Sequence, residues 1–241
     1  MTTRLAAWLS LADVVGWRVR KGRSLQRFSD RAVIQGRGAG LLDLSVCLVA
    51  GRHSPGGLGL LGSLVAASTS EGIRRDTGIV SWLQWPNLVT IDDRVVAKTS
   101  ISVAQESAER TEVVAHIIVN CFAPVSCKFS PAGLPSTSIL EALGVEVDLD
   151  MLRDKVLHAL NWYHAEWERG MNRKLVDRMR PTIAWLGRDV EVFTSGGSRL
   201  NGKAKGLDDL GSLLLKCEDR NGNPKTRRLR PEAVDHVLVV N

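Results

Sequence analysis

The sequence predicts an α+β fold: a mixed α/β unit over residues 1–184, followed by a small all-β unit over residues 185–241. Three observations carry this. Residues 44–50 and 113–121 are near-continuous apolar runs of strand length. Residues 148–167 place Leu152, Val156, Ala159, Leu160 and Tyr163 on one face of a helix. From Leu186 the texture changes to short alternating segments between glycine turns, at 190–193, 202–207, 212–217, 226–229 and 237–240.

Taken in order, residues 4–16 are apolar and helix-compatible, and 17–20 alternate like a short strand. Ser24 is read as the cap of a helix reaching about Gly36, which ends in the glycines 36, 38 and 40. After the strand at 44–50 come a loop, a second strand at 58–64 and a helix at 66–77. Leu83 to Lys98 reads as strand, turn, strand: Pro86 breaks the first strand, Asp92-Asp93 form the turn, and Val95-Val96-Ala97 restart a strand. A further strand is read at 101–104. Ser138 with Glu141 is a capping box opening a short helix, and 168–180 extends the long helix up to Pro181.

Composition bounds the function. Hydrophobic residues make up 44% and charged residues 24%, as in an ordinary globular protein. No run approaches the ~18 apolar residues of a membrane span, and the first residues lack a signal-peptide core, so a cytoplasmic location without membrane association is expected. Cys47, Cys121, Cys127 and Cys217 lack metal-ligand spacing and are expected to be free thiols; His158 and His164 are six apart on different helix faces. No metal site is expected. Gly57-x-Gly59-x-x-Gly62 matches a dinucleotide fingerprint in form but lacks the later acidic residue in a βαβ unit. The net charge of +6 sits in residues 1–40, where eight basic residues face two acids. Arg18, Arg20, Lys21 and Arg23, with Arg227, Arg228 and Arg230, would be the phosphate contacts if the protein bound nucleic acid. Interleaved aromatics for base stacking are lacking there. The seven tryptophans, against one tyrosine, are expected in the core.

Trp85-Pro86-Asn87 and Gly202-Lys203-Ala204-Lys205-Gly206-Leu207-Asp208-Asp209-Leu210-Gly211 resemble the two signatures of the biotin protein ligases. Ser24-Leu25-Gln26, the strand Ser45 to Ala50, Ser54-Pro55-Gly56-Gly57-Leu58 and Thr137-Ser138-Ile139 resemble further landmarks of that family, so the likeness spans nearly the whole chain. The resemblance implies a ligase catalytic domain with a mixed sheet, then a small C-terminal β-barrel. It also implies an activity that condenses biotin with ATP and magnesium to an adenylate and passes the acyl group to a carrier lysine.

The same resemblance places Ser24, Gln26, Arg52, His53, Trp85, Asn87, His116, Ile118 and Asn120 around the ligand pocket. Several of these positions depart from the family pattern. Only Gly51-Arg52-His53 stands where the family has a long arginine-glycine loop. Val95 takes the place of the catalytic lysine, Leu88 of the aspartate after Trp-Pro-Asn, and Lys98, His116 and Ile118 of three glycines; Asn120 is kept. Lys98, three residues from Val95, falls on the opposite strand face unless a bulge intervenes. The implied reading is a biotin-ligase-like pseudoenzyme acting by binding, with a protein partner: a homodimer, an active ligase, a carrier protein or a larger assembly. The alternatives are a diverged biotin or lipoyl ligase that rebuilt its site with Arg52, His53 and Lys98, and a nucleic-acid or ribonucleoprotein component.

Overall fold

In the computed structural model, residues 23–28, 31–38, 40–51, 57–106, 110–122, 134–219 and 222–240 are described. A seven-stranded sheet runs in the order β1-β2-β3-β7-β6-β5-β4. Its strands are β1 (Arg23–Phe28), β2 (Arg31–Gly38), β3 (Leu41–Gly51), β4 (Trp82–Gln84), β5 (Leu88–Ile91), β6 (Arg94–Glu106) and β7 (Arg110–Asn120). Every ladder between them is antiparallel; the parallel element is a single bridge, Val95 to Ser136. The helices are α1 (Gly57–Thr77), α2 (Ile139–Leu143), α3 (Leu149–Glu168) and α4 (Asn172–Met179). A second, five-stranded antiparallel sheet follows, in the order β11-β10-β9-β8-β12. It comprises β8 (Asp189–Thr194), β9 (Arg199–Leu207), β10 (Leu213–Glu218), β11 (Pro224–Leu229) and β12 (Val234–Val239). This second sheet is the small C-terminal β unit that the resemblance implied.

Three element expectations are corrected. Residues 23–38 form the hairpin β1–β2, not a helix. β-branched Val33-Ile34 favours a strand. Gln35-Gly36-Arg37-Gly38 is therefore the end of a strand. Residues 58–64 are the first turns of α1: Leu60, Leu61, Leu64 and Val65 recur at helical spacing, which a short apolar run also presents as a strand. The helix read through 168–180 breaks at Gly170, whose φ of 76° ends α3 before α4 restarts. Ser138 and Asp148 cap α2 and α3 as their sequences require, Ser138 Oγ accepting from the Glu141 amide at 3.1 Å and Asp148 Oδ1 from the Asp150 amide at 2.8 Å. Residues 4–20 lie outside the described residues.

One face of the large sheet is covered by α1 and α3. Leu42, Leu44, Val46 and Leu48 of β3 alternate onto that face with Val113, Ala115, Ile117 and Val119 of β7. The two helices approach so closely that a Cβ on Gly72 would lie 2.6 Å from Val156 Cα. At the same crossing, Arg178 of α4 donates to both carboxylate oxygens of Glu71 at 2.9 and 3.0 Å, and Tyr163 OH donates at 3.1 Å. Arg75 completes the cluster.

Burial works against the charged form of Glu71. Arg178, then Arg75 and Tyr163, outweigh burial and hold the carboxyl below its ordinary value. Glu71→Gln is expected to lower stability by about 2 kcal/mol at neutral pH, measured by urea denaturation. Because the folded pKa is depressed, the stabilisation is complete above the ordinary carboxylate value of about 4.3 and is lost as pH falls through the lowered folded value. The gap between wild type and variant should therefore close under acid and stay level from about pH 6 upward.

The thiols are free where described: Cys47 and Cys121 are buried and Cys217 is half-buried. Burial pushes the Cys121 thiol up to about 12, so it stays protonated. Among the described residues no group of His, Cys, Asp and Glu has the geometry to hold a metal ion, and no helix is long and apolar enough to cross a membrane. His164 is committed to the Val49 carbonyl at 2.9 Å.

Candidate functional site

The hairpin of β5 and β6 turns through Asp92-Asp93, both at positive φ (47° and 58°), as a two-residue hairpin connection requires. Its register runs Leu88 to Lys98 and Val89 to Ala97, then Thr90 to Val95 and Ile91 to Arg94. Val96 is the extra residue of a β-bulge. The bulge decides where the site residues point. Paired residues share a face, so Val95, Lys98 and Leu88 all face away from α1, despite the offset of three between Val95 and Lys98. The partners of β6 and β3 on β7 extend the same face: Lys98 pairs Ile118, Ser100 pairs His116, Ser45 pairs His116, and Leu41 pairs Asn120.

Val95 is fully buried in an apolar cluster with Leu88, and Leu41, Ile118 and Leu134 pack around them. Its backbone is also taken: Val95 N–H donates to the Pro135 carbonyl at 2.8 Å, and its carbonyl accepts from the Thr137 amide at 2.9 Å. The segment from Leu134 to Ser138 is held there by side chains as well. Asn120 Nδ2 donates to the Thr137 carbonyl at 3.0 Å, and Arg94 donates to the Ser136 carbonyl at 3.0 Å while pairing with Glu141 at 2.6 Å. Thus Leu88, Val95 and Ile118, from three strands, meet as one hydrophobic plug.

His116 hangs between two hydroxyls, with Ser45 Oγ 3.3 Å from Nδ1 and Ser102 Oγ 3.2 Å from Nε2. Both ring nitrogens are thereby occupied, and the imidazole fills space at a position where a glycine would leave the strand open. Ser45 and Ser102 were not singled out from sequence. Their meeting depends on the registers of β3, β7 and β6, and the only sequence sign of it is the alternation of Ser100 and Ser102 on β6.

Trp85 is fully buried, donates from Nε1 to the Gly211 carbonyl at 3.2 Å, and meets Trp185 edge-on at 6.4 Å. Gly211, at φ 75°, closes the Gly202–Gly211 motif; a Cβ there would lie 2.8 Å from Leu60 Cδ1. The two most specific sequence motifs therefore touch. Asn87 accepts at its main-chain oxygen from the Thr99 amide at 2.8 Å, whereas its buried Oδ1 has no partner.

The overall fold superposes on solved biotin protein ligases. A biotin-bound mutant of the Aquifex aeolicus biotin protein ligase superposes with a TM-score of 0.69 at 18% identity, covering 96% of this chain and 94% of that one. The same ligase with biotin and ATP gives 0.66 at 18% identity over 85% and 81% of the two chains. The chain has the biotin protein ligase fold. A biotin protein ligase-like protein of unknown function from Silicibacter sp. matches equally well, with a TM-score of 0.66 at 13% identity over 83% of each chain. No protein-family model and no curated protein matches the sequence.

On this ligase fold the expected pocket positions divide. Trp85, Asn87, Lys98, His116, Ile118 and Asn120 lie on or beside the β5–β6–β7 surface, with Trp85 turned into the core. Ser24 and Gln26 stand in β1, separated from β7 by β2 and β3, and not at a helix start; Arg23 heads the same strand. Arg52, His53, Arg18, Arg20 and Lys21 lie outside the described residues. Arg227, Arg228 and Arg230 lie in or directly after the edge strand β11, where Arg228 pairs with Asp208 and donates to Ser212 Oγ at 3.3 Å. Nothing in this arrangement supports nucleic-acid binding. Val95 itself is ringed by aliphatic side chains, Arg94 is engaged by Ser136 and Glu141, and Lys98 is the cation on the same face.

Proposed function

We propose that this chain is a ligase-fold binding protein that has lost the adenylating chemistry and engages a protein partner. A carrier-type protein is the first candidate, ahead of a second copy, an active ligase or a larger assembly. The observation that carries the reading is the plug at Val95. At the position of the family lysine there is a buried aliphatic side chain, sealed by Leu41, Leu88, Ile118 and Leu134 and hydrogen-bonded along its backbone to 135–137. In an adenylating site, the loss of one preorganised charge partner lowers rate by about 10²–10³; here the lysine position, the aspartate position and a glycine position are all aliphatic. Residues 1–184 would form the ligase-like unit and 185–241 the sheet unit joined to it.

The test is incubation of the purified protein with biotin, ATP, magnesium and a biotin carrier domain, scored by transfer to the carrier lysine. Labelling at background is expected, and turnover at ordinary ligase rates would sink the proposal. One observation favours the diverged-enzyme reading: the bulge at Val96 brings Lys98 to the face of Val95. If that reading holds, the labelling seen in wild type disappears in Lys98→Ala.

A further inference from the structure

Among the described residues β11 is an open edge of the second sheet, paired with β10 on one side only. Its ladder begins where Asp219 N–H donates to the Asn223 carbonyl at 2.9 Å. Hydrogen-bonded pairs alternate with non-bonded ones in an antiparallel ladder, so Lys225 and Arg227 turn their backbone groups to β10. Thr226 and Arg228 therefore turn theirs outward. Pro224 fits the same register, because its missing N–H falls on the open side.

The side chains along this edge are basic. Lys225, Arg227, Arg228 and Arg230 follow one another with no acid between them, and residues 224–228 are all exposed. Arg228 is paired with Asp208, whereas Lys225 and Arg227 make no ion pair among the described residues. Two copies of β11 side by side would bring like charges together, which opposes pairing of the edge with itself. The edge selects an acidic strand instead.

The chain carries such a segment between α2 and α3. Val145-Glu146-Val147-Asp148 belongs to no helix or strand, and among the described residues no backbone hydrogen bond holds 145–147. Val147 packs on the core while Glu146 and Asp148 are exposed, the alternation of an extended run. Asp148 has extended backbone dihedrals and caps α3. Glu146 makes no ion pair among the described residues, and Val145 is 60% exposed.

We propose that β11 of one copy docks the 145–148 segment of a second copy as an added antiparallel strand. The register that matches charge sets Arg227 opposite Glu146 and Lys225 opposite Asp148. It also sets Thr226 and Arg228, whose backbone groups are open, opposite Val147 and Val145, whose backbone groups are open too. The contact joins two different surfaces of the chain, so association runs head to tail. Four residues on each side make a small interface, and the association is weak and salt-sensitive. None of these residues belongs to the Val95 plug, so the docking stands apart from the loss of ligase chemistry.

Sedimentation velocity reads the association. In about 25 mM salt the wild type should sediment faster as its concentration rises from about 10 µM to about 1 mM, and in about 500 mM salt it should stay a monomer. Glu146→Lys and Arg227→Glu, both at exposed positions, should each remain monomers in low salt. An equimolar mixture of the two should associate like the wild type, because each reversed charge then meets the other. Thr226→Pro removes an outward N–H that the β10 ladder does not use, leaves every charge in place and should also abolish association. A wild type that stays monomeric in low salt, even one that binds a synthetic acidic peptide or a nucleic acid at this edge, would overturn the proposal. So would undiminished association in either charge variant or in Thr226→Pro, or a mixture that stays monomeric.

Discussion

Val95→Lys is expected to destabilise the protein by about 3–5 kcal/mol and to restore no ligase activity. The wild-type side chain is fully buried among Leu41, Leu88, Ile118 and Leu134. A lysine introduced there must either ionise without a carboxylate in the cluster or lose its proton, and either state is unfavourable in an apolar site. Escape along the strand is blocked as well, because the Val95 amide and carbonyl are tied to Pro135 and Thr137. Urea denaturation of wild type and variant measures the loss, and the carrier-labelling assay reads the activity. A variant as stable as wild type would show that the plug opens readily, and one that labels a carrier would show that a single residue separates this chain from a working ligase. The contrast with Val95→Ile isolates the charge, since one added methylene costs about 1–3 kcal/mol by overpacking alone.

The strands that alternate against a buried face were legible in the sequence. β3 and β7 fall on near-continuous apolar runs, and β8 and β10 on segments whose apolar residues recur at period two. The cap at Ser138 was legible too, because a cap is a local hydrogen bond between a side chain and an amide two or three residues on. Residues 58–64 were not. Their leucines satisfy both periods over seven residues, and the decision comes from packing α1 against α3, where Gly72 admits Val156.

The site was legible as identities and illegible as geometry. The resemblance alone implies that Val95 stands at the family's lysine position. That Lys98 shares its face follows from the bulge at Val96, which no residue type announces. The pairing of Ser45, His116 and Ser102 joins positions 71 and 14 residues apart and depends on two strand registers. The plug has the same origin: Leu41, Leu88, Ile118 and Leu134 come from four separate segments, and only the folded sheet makes them neighbours.

The other large effect belongs to the residue that joins the two sheets. Trp85→Ala should cost about 3–5 kcal/mol, while Trp85→Phe should cost roughly 1–2. The side chain is fully buried, donates to the Gly211 carbonyl and packs edge-on to Trp185. Its neighbour Gln84 donates from Nε2 to the Val237 carbonyl of β12, so the β4 end of the large sheet is stitched to the second sheet at two points. Alanine removes the ring that meets the Gly211 carbonyl and Trp185 and leaves a cavity that these elements cannot close by a local shift. Phenylalanine keeps most of the apolar volume and loses the hydrogen bond, which explains the smaller cost. Amide hydrogen exchange distinguishes a joint from a local core residue. If Trp85 couples the sheets, exchange in Trp85→Ala rises together in β5–β6 and in β9–β10; if it serves only its own hairpin, β9–β10 keep wild-type protection. The first outcome means that Trp85 holds the two sheets together, a structural role separate from any chemistry beside Val95.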